Sequence, residues 1–141
     1  MSDSTSAKSF GRLIGLVLVL ALVAGGYLAL RYFRKPQTQP SPEVGQTVAE
    51  DFLKKVRAGD PGKAWDSSTS EFKSIEGRES FIRKSKSTTV LKEQLQFVSS
   101  QQVMIQDEPR TEYLFQSPKA KVVRLLVGHE QGNWKVDRLT L

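Results

Sequence analysis

The sequence predicts an α+β domain carried behind a single membrane-spanning helix. Three observations predict it. Residues 13–30 contain no charged side chain. Between residues 43 and 86 the apolar residues recur at spacings of three and four, the period of a helix with one buried stripe. From Ser87 onward they alternate with polar ones, the period of a half-buried strand. Helices first and strands after is the pattern of helices packed on one face of a sheet.

The apolar run carries Leu13, Ile14, Leu16, Val17, Leu18, Val19, Leu20, Leu22, Val23, Leu28 and Leu30 as its anchoring side chains. As a helix at ~1.5 Å per residue its 18 residues cover about 27 Å, close to the ~30 Å hydrocarbon core of a bilayer. Phe10 before it, and Tyr27, Tyr32 and Phe33 at its far end, suit the headgroup level. Lys8 and Arg12 precede the run, and Arg31, Arg34 and Lys35 follow it. A cleaved secretory signal is the competing reading, with small residues at Val23 to Gly26 for the cleavage site. The run is longer than the usual ~7–15-residue signal core, and basic residues stop it at once. Gly11 and Gly15 form a Gly-x-x-x-Gly pair through which two such helices could approach, so a homodimer stays open. The flanking cations are nearly balanced, and the short polar tail favours an N-terminus inside and a C-terminal domain outside the cytoplasm.

The chain divides into a Ser-rich tail over residues 1–9, the span with its basic flanks over 10–35, a spacer over 36–42 and a folded domain over 43–141. The spacer holds three prolines and is expected to be extended at about 3.1 Å per residue. The formal net charge is +6, but the first 35 residues contribute five cations and one acid to it. The remainder carries 16 cations and 14 acids, so the basic balance belongs to the membrane flanks and does not indicate nucleic acid as a partner. The chain has no cysteine and a single histidine, His129, which excludes disulfides, thiolate metal sites and histidine-cluster metal sites.

Within the domain, Ser41 is placed to cap a helix that starts at Pro42, with Val44, Val48, Ala49, Phe52, Leu53 and Val56 as its buried stripe. Gly59 ends it. Asp60 and Pro61 restart a short helix that turns Ala64 and Trp65 inward. Phe72 and Ile75 fall in an irregular or helical turn, and a third helix runs over 76–86 with Phe81 and Ile82 buried. Arg83, Lys84 and Lys86 lie on its exposed side, a solvated face that could also meet anionic lipid heads. About four strands follow in a mostly antiparallel meander. Its inward residues are expected to be Leu95, Phe97, Val103, Ile105, Tyr113, Phe115, Val123, Leu125, Val127, Trp134 and Val136. Turns are expected at 107–110 and 117–118, and a hairpin loop at 129–133.

The run from Ala49 through Phe52, Leu53, Val56, Ala58, Gly59 and Asp60 to Ala64 and Trp65 resembles the opening of nuclear transport factor two-like (cystatin-like cone) domains. The ending Gly132, Asn133, Trp134, Lys135, Val136 is similar to their last hairpin. The resemblance covers about 25 residues and implies helices wrapped by a curved sheet around a cone-shaped cavity. Such domains include isomerase-type enzymes, small-ligand binders and membrane-tethered scaffolding domains. Enzymatic members place an Asp, Glu or His–Asp base inside the cone, and general acid–base work needs such a group in reach of substrate. Asp66 is the best carboxylate for that place, and Trp65, Tyr113 and Trp134 are the other candidate cavity-lining residues. Each has a plainer reading: a solvated or capping Asp66, and core packing for the three aromatics. His129 falls in a predicted loop. No phosphate-binding loop, nucleophile elbow or calcium loop is present, so no catalytic, metal or cofactor residue is assigned. The sequence therefore predicts a tethered, non-catalytic domain for protein interaction or membrane-complex assembly, partnered by the bilayer and by other membrane or envelope proteins. A small-molecule-binding or ketosteroid-isomerase-like domain is the alternative.

Overall fold

The computed structural model describes residues 39–141. The tail, the residue 13–30 run with its flanks, the Gly11/Gly15 pair and the start of the spacer lie outside the described residues. Among the described residues, no helix is long and apolar enough to cross a membrane. The fold is α+β: four helices, α1 (Pro42–Arg57), α2 (Pro61–Asp66), α3 (Ser70–Ile75) and α4 (Arg78–Ser87), then a 3₁₀ turn (Thr89–Lys92), lead into a sheet. Its strands β1 (Gln96–Ile105), β2 (Glu108–Gln116), β3 (Val122–Glu130) and β4 (Asn133–Thr140) pair antiparallel in sequence order.

The ends of α1 follow from local chemistry. The Ser41 hydroxyl accepts from the Val44 N–H at 3.4 Å, and Pro42 occupies the first turn, where its missing N–H costs nothing. At the other end the Asp60 N–H donates to the Lys55 carbonyl and the Gly59 N–H to the Val56 carbonyl, with Gly59 at φ +91°. That is a Schellman closure, which favours glycine at the left-handed position. Asp60 precedes α2, but its carboxylate pairs with Lys63 at 3.1 Å and makes no capping bond. The turn around Phe72 is a helix of its own. The Thr69 hydroxyl caps it by accepting from the Phe72 N–H at 3.2 Å. Phe72 is buried while Ile75 is exposed.

Within α1 the buried set is Gly45, Ala49, Phe52, Leu53 and Val56, and Val44 is exposed. The stripe is displaced by one residue at its start because Tyr113 rises from β2 against the helix. A Cβ on Gly45 would lie 1.8 Å from the Tyr113 hydroxyl oxygen. Phe52, Phe72 and Phe81 then bring α1, α3 and α4 together, with ring centroids 5.3–5.8 Å apart. Beneath them, Tyr113, Phe115, Val123, Leu125, Val127 and Val136 form the buried face of the sheet. Ile82, expected inside, is half-buried.

The strands depart from the expected pattern at four places. Leu95 and Phe97, and Val103 and Ile105, belong to one continuous stretch ending in β1, but not to one face. The β1–β2 register shifts between Phe97 and Ser99. This one-residue bulge at Val98 reverses the alternation. Phe97 opposes Phe115 on the helix side, whereas Val103 opposes Arg110 and Ile105 opposes Glu108 on the outer side. The β1–β2 turn is only Gln106 and Asp107, both with positive φ, and Glu108 to Arg110 are strand. Pro109 is tolerated there because the β2–β3 pairing begins only at Thr111. Likewise the last hairpin turns on Gln131 and Gly132 alone, so His129 and Glu130 are in β3. Finally, β4 carries an extra residue, Asp137, opposite the Leu126/Val127 step.

The β1–β2 turn supports a direct test. Two positive-φ residues in a two-residue hairpin favour glycine at the second place. Asp107→Gly is expected to raise stability by about 1 kcal/mol in urea unfolding, since a non-glycine left-handed residue costs about that much or more. An unchanged or lower midpoint would refute this account of the turn.

Candidate functional site

The four candidate cavity residues do not converge. Trp65 packs at the margin of the core, its indole N–H donating to the Glu76 carbonyl at 2.7 Å, with the Lys73 ammonium 5.2 Å from the ring centroid. Asp66 is exposed and pairs with Arg78 at 3.2 Å. Trp134 stands opposite His129 across the last hairpin, rings 4.7 Å apart. It borders a cleft of about 150 Å³ between α1 and β4, together with Val48, Lys55 and Ser67. His129 itself is exposed. Among the described residues the two tryptophans form no ring pair.

Tyr113 is inside, as the alternation of β2 dictates, and is fully buried. Its hydroxyl is buried against Gly45 and has no hydrogen-bond partner among the described residues. Burial pushes its pKa up, so the group is a neutral phenol wedged between sheet and helix. A buried hydroxyl without a partner costs free energy that a hydrogen atom would not. Tyr113→Phe is therefore expected to raise stability by about 1 kcal/mol in chemical denaturation. A clear loss would mean that the hydroxyl has a partner.

The polar chemistry that the structure does gather lies on the outer sheet face and is read from no contiguous motif. Arg110 of β2 reaches across β3 to Asp137 of β4, guanidinium to carboxylate 2.6 Å, and also contacts Glu108 at 3.1 Å and Glu71 of α3 at 3.9 Å. Arg138 adds a second cation to Glu71 at 3.5 Å. The lane between β2 and β4 is open because β3 has Gly128 there. A Cβ on Gly128 would fall 2.0 Å from an Asp137 carboxylate oxygen. Asp137 is only 5% exposed. Burial raises its pKa, opposed by a Thr69 hydrogen bond and the Arg110 charge and reinforced by the nearby Glu71 and Glu130 charges. The carboxylate is held by Arg110 at 2.6 Å, and beside it the Val136 carbonyl accepts from the Thr69 N–H at 3.0 Å and from the Thr69 hydroxyl at 3.4 Å, which ties the start of α3 to the edge of β4.

Glu130 completes this junction. Its carboxylate accepts from the Ser70 N–H at 2.9 Å, from the Ser70 hydroxyl and from Lys135 at 3.1 Å. The Ser70 bonds, with Lys135, hold its pKa down at about 2 against an ordinary 4.5. A lowered carboxylate pKa contributes stability that is fully present above about 4.5 and is lost as pH falls towards 2. Glu130→Gln is expected to lower the melting temperature at pH 7 and to flatten its decline between about pH 4.5 and 2. Thermal melts across that range check it. An unchanged acid limb would remove Glu130 from the account.

A larger cleft, of about 230 Å³, lies between α1 and the segment that joins the 3₁₀ turn to β1. Lys54, Arg57, Glu93, Leu95 and Phe115 are among its lining residues. Glu93 pairs with Lys119 at 3.6 Å through one carboxylate oxygen, while the other is buried without a partner among the described residues. Among the described residues there is no group of three or more His, Asp or Glu placed to hold a metal ion. No protein-family model matches the chain, and no curated protein matches it. The outer-face cluster was accessible to sequence reasoning only through Gly128, since an isolated glycine in an apolar strand marks a close approach of some other group.

Proposed function

We propose that this chain is a single-pass membrane protein. Residues 10–35 anchor it, and the domain described here, of the nuclear transport factor two-like cone type, serves protein interaction or membrane-complex assembly outside the cytoplasm. The observation that carries the non-catalytic reading is the filled space between helices and sheet. Phe52, Phe72, Phe81, Tyr113 and Phe115 are buried in one cluster there, which supports a packed interior in place of a substrate cavity. Support for the cone type comes from the helix break at Gly59 and Asp60 and from the two bulges that bend the sheet. Its partners on this reading are the lipid bilayer and other membrane or envelope proteins.

A small-molecule-binding domain is the second reading. The 230 Å³ cleft favours it, with Glu93 among its lining residues. The two are separated by complementation of a deletion strain beside carbonate extraction of membranes. On the assembly reading the full chain stays in the carbonate-washed pellet, Asp66→Asn, His129→Ala and Glu93→Gln support normal growth, and protease added to spheroplasts removes the domain. Release by carbonate would overturn the anchor. Loss of complementation by Glu93→Gln in a normally folded chain would move the function to the cleft.

A further inference from the structure

The two edges of the sheet are built differently. The β4 edge is closed: the Thr69 N–H donates to the Val136 carbonyl at 3.0 Å, and the strand carries a bulge and the charges of Lys135, Asp137 and Arg138. Among the described residues no strand pairs with β1 on its far side, although the Gln102 side chain donates to the Gln39 side-chain oxygen at 2.8 Å. Among the described strands β1 is also the one without a charge, in an uncharged stretch over residues 94–106. Native edges are usually blunted by lysine, proline or inward-pointing charge, because a bare edge templates another strand. On β1 only the bulge at Val98 does this, near its start. Phe97 is 36%, Val98 55% and Met104 67% exposed.

We infer that β1 is a homodimer interface, pairing antiparallel with β1 of a second copy into a continuous eight-stranded sheet. A second copy fits because the strand is complementary to itself. Facing residues of an antiparallel pair must share a face, so a two-fold axis perpendicular to the sheet can pass through a facing pair of Gln101 residues. Ser100 then meets Gln102, and Ser99 meets Val103. The bulge shifts the alternation by one residue, which brings Phe97 opposite Met104 on the helix side. This places the exposed Phe97 of one copy against the exposed Met104 of the other, in the aromatic–thioether contact that such groups favour. A charged partner peptide would find no counter-charge on this edge, whereas two net-positive copies meet here without repulsion. Strand pairing buries little area for a stable dimer. Confinement of both copies to one membrane raises their effective concentration and offsets this. The inference thus rests on the tethered reading above.

The chain has no cysteine, so single substitutions report the interface directly. Gln101→Cys in the full-length chain, in native membranes, is treated with a short thiol-to-thiol cross-linker. Thr140→Cys on the β4 edge is the control. The expected result is a band of twice the chain mass for Gln101→Cys at least tenfold stronger than for Thr140→Cys. Adding Met104→Lys should weaken that band about tenfold, the effect of about 1.4 kcal/mol at the interface, with an unchanged melting temperature. Equal cross-linking at both positions, or indifference to Met104→Lys, overturns the β1 interface. Native gels of the same membranes separate the two readings. A failed cross-link with the chain still in a larger complex sinks the dimer alone. A lone monomer in both assays sinks the assembly function as well.

Discussion

Three phenylalanine rings hold the helical layer to itself, and through it to the sheet. Phe52, Phe72 and Phe81 come from α1, α3 and α4 and meet edge to face or tilted at 5.3–5.8 Å. Two of the helices, α2 and α3, have only six residues. Segments of that length do not persist alone, because the cost of nucleating a helix exceeds what one or two turns return. They exist because their apolar residues are buried against α1 and β4, and because their ends are tied by Thr69, Glu130 and the Trp65–Glu76 bond. The rings also fix how closely α1 lies on the sheet. At that separation the Tyr113 side chain leaves no room for a side chain at position 45.

Much of this architecture was legible because the signals were local. Ser41 and Pro42 mark a helix start, Gly59 its end, and the change from spacings of three and four to alternation marks the passage from helices to sheet. The buried residues of β2 and β3 follow from the same alternation. What was not legible required a partner far away in sequence. Nothing around Val98 announces an extra residue, yet the bulge sends Val103 and Ile105 to the opposite face from Phe97. Val44 fits the helical stripe as well as Gly45 does, until Tyr113 arrives from residue 113 to claim the space. His129 and Glu130 read as loop because Gly132 and Asn133 follow, but the turn needs only two residues.

The candidate site shows the same limit more sharply. Of the aromatic residues singled out, Tyr113 is in the core and the two tryptophans lie at its margin, each against a different neighbour. The charged junction of Glu71, Arg110, Glu130 and Asp137 combines residues from one helix and three strands. Single-sequence reasoning cannot pair such residues, since each alone looks like an ordinary surface charge. Asp137 is the exception in burial, and Arg110 is what makes that burial tolerable: a buried charge without a partner costs several kcal/mol.

The sequential order of the strands bears on where the entropy of chain closure is spent. Each strand pairs with its neighbour in sequence, through two hairpins of two residues and one short connection. Closing such loops costs little, because the penalty grows only with the logarithm of loop length. The helices likewise touch one another over short stretches of chain. The Ser70–Glu130 and Thr69–Val136 bonds, by contrast, join residues 60 and 67 positions apart. The domain is therefore two locally closed halves, and the junction around Glu130 and Asp137 is the polar clasp between them, beside the apolar packing of α1 on the sheet.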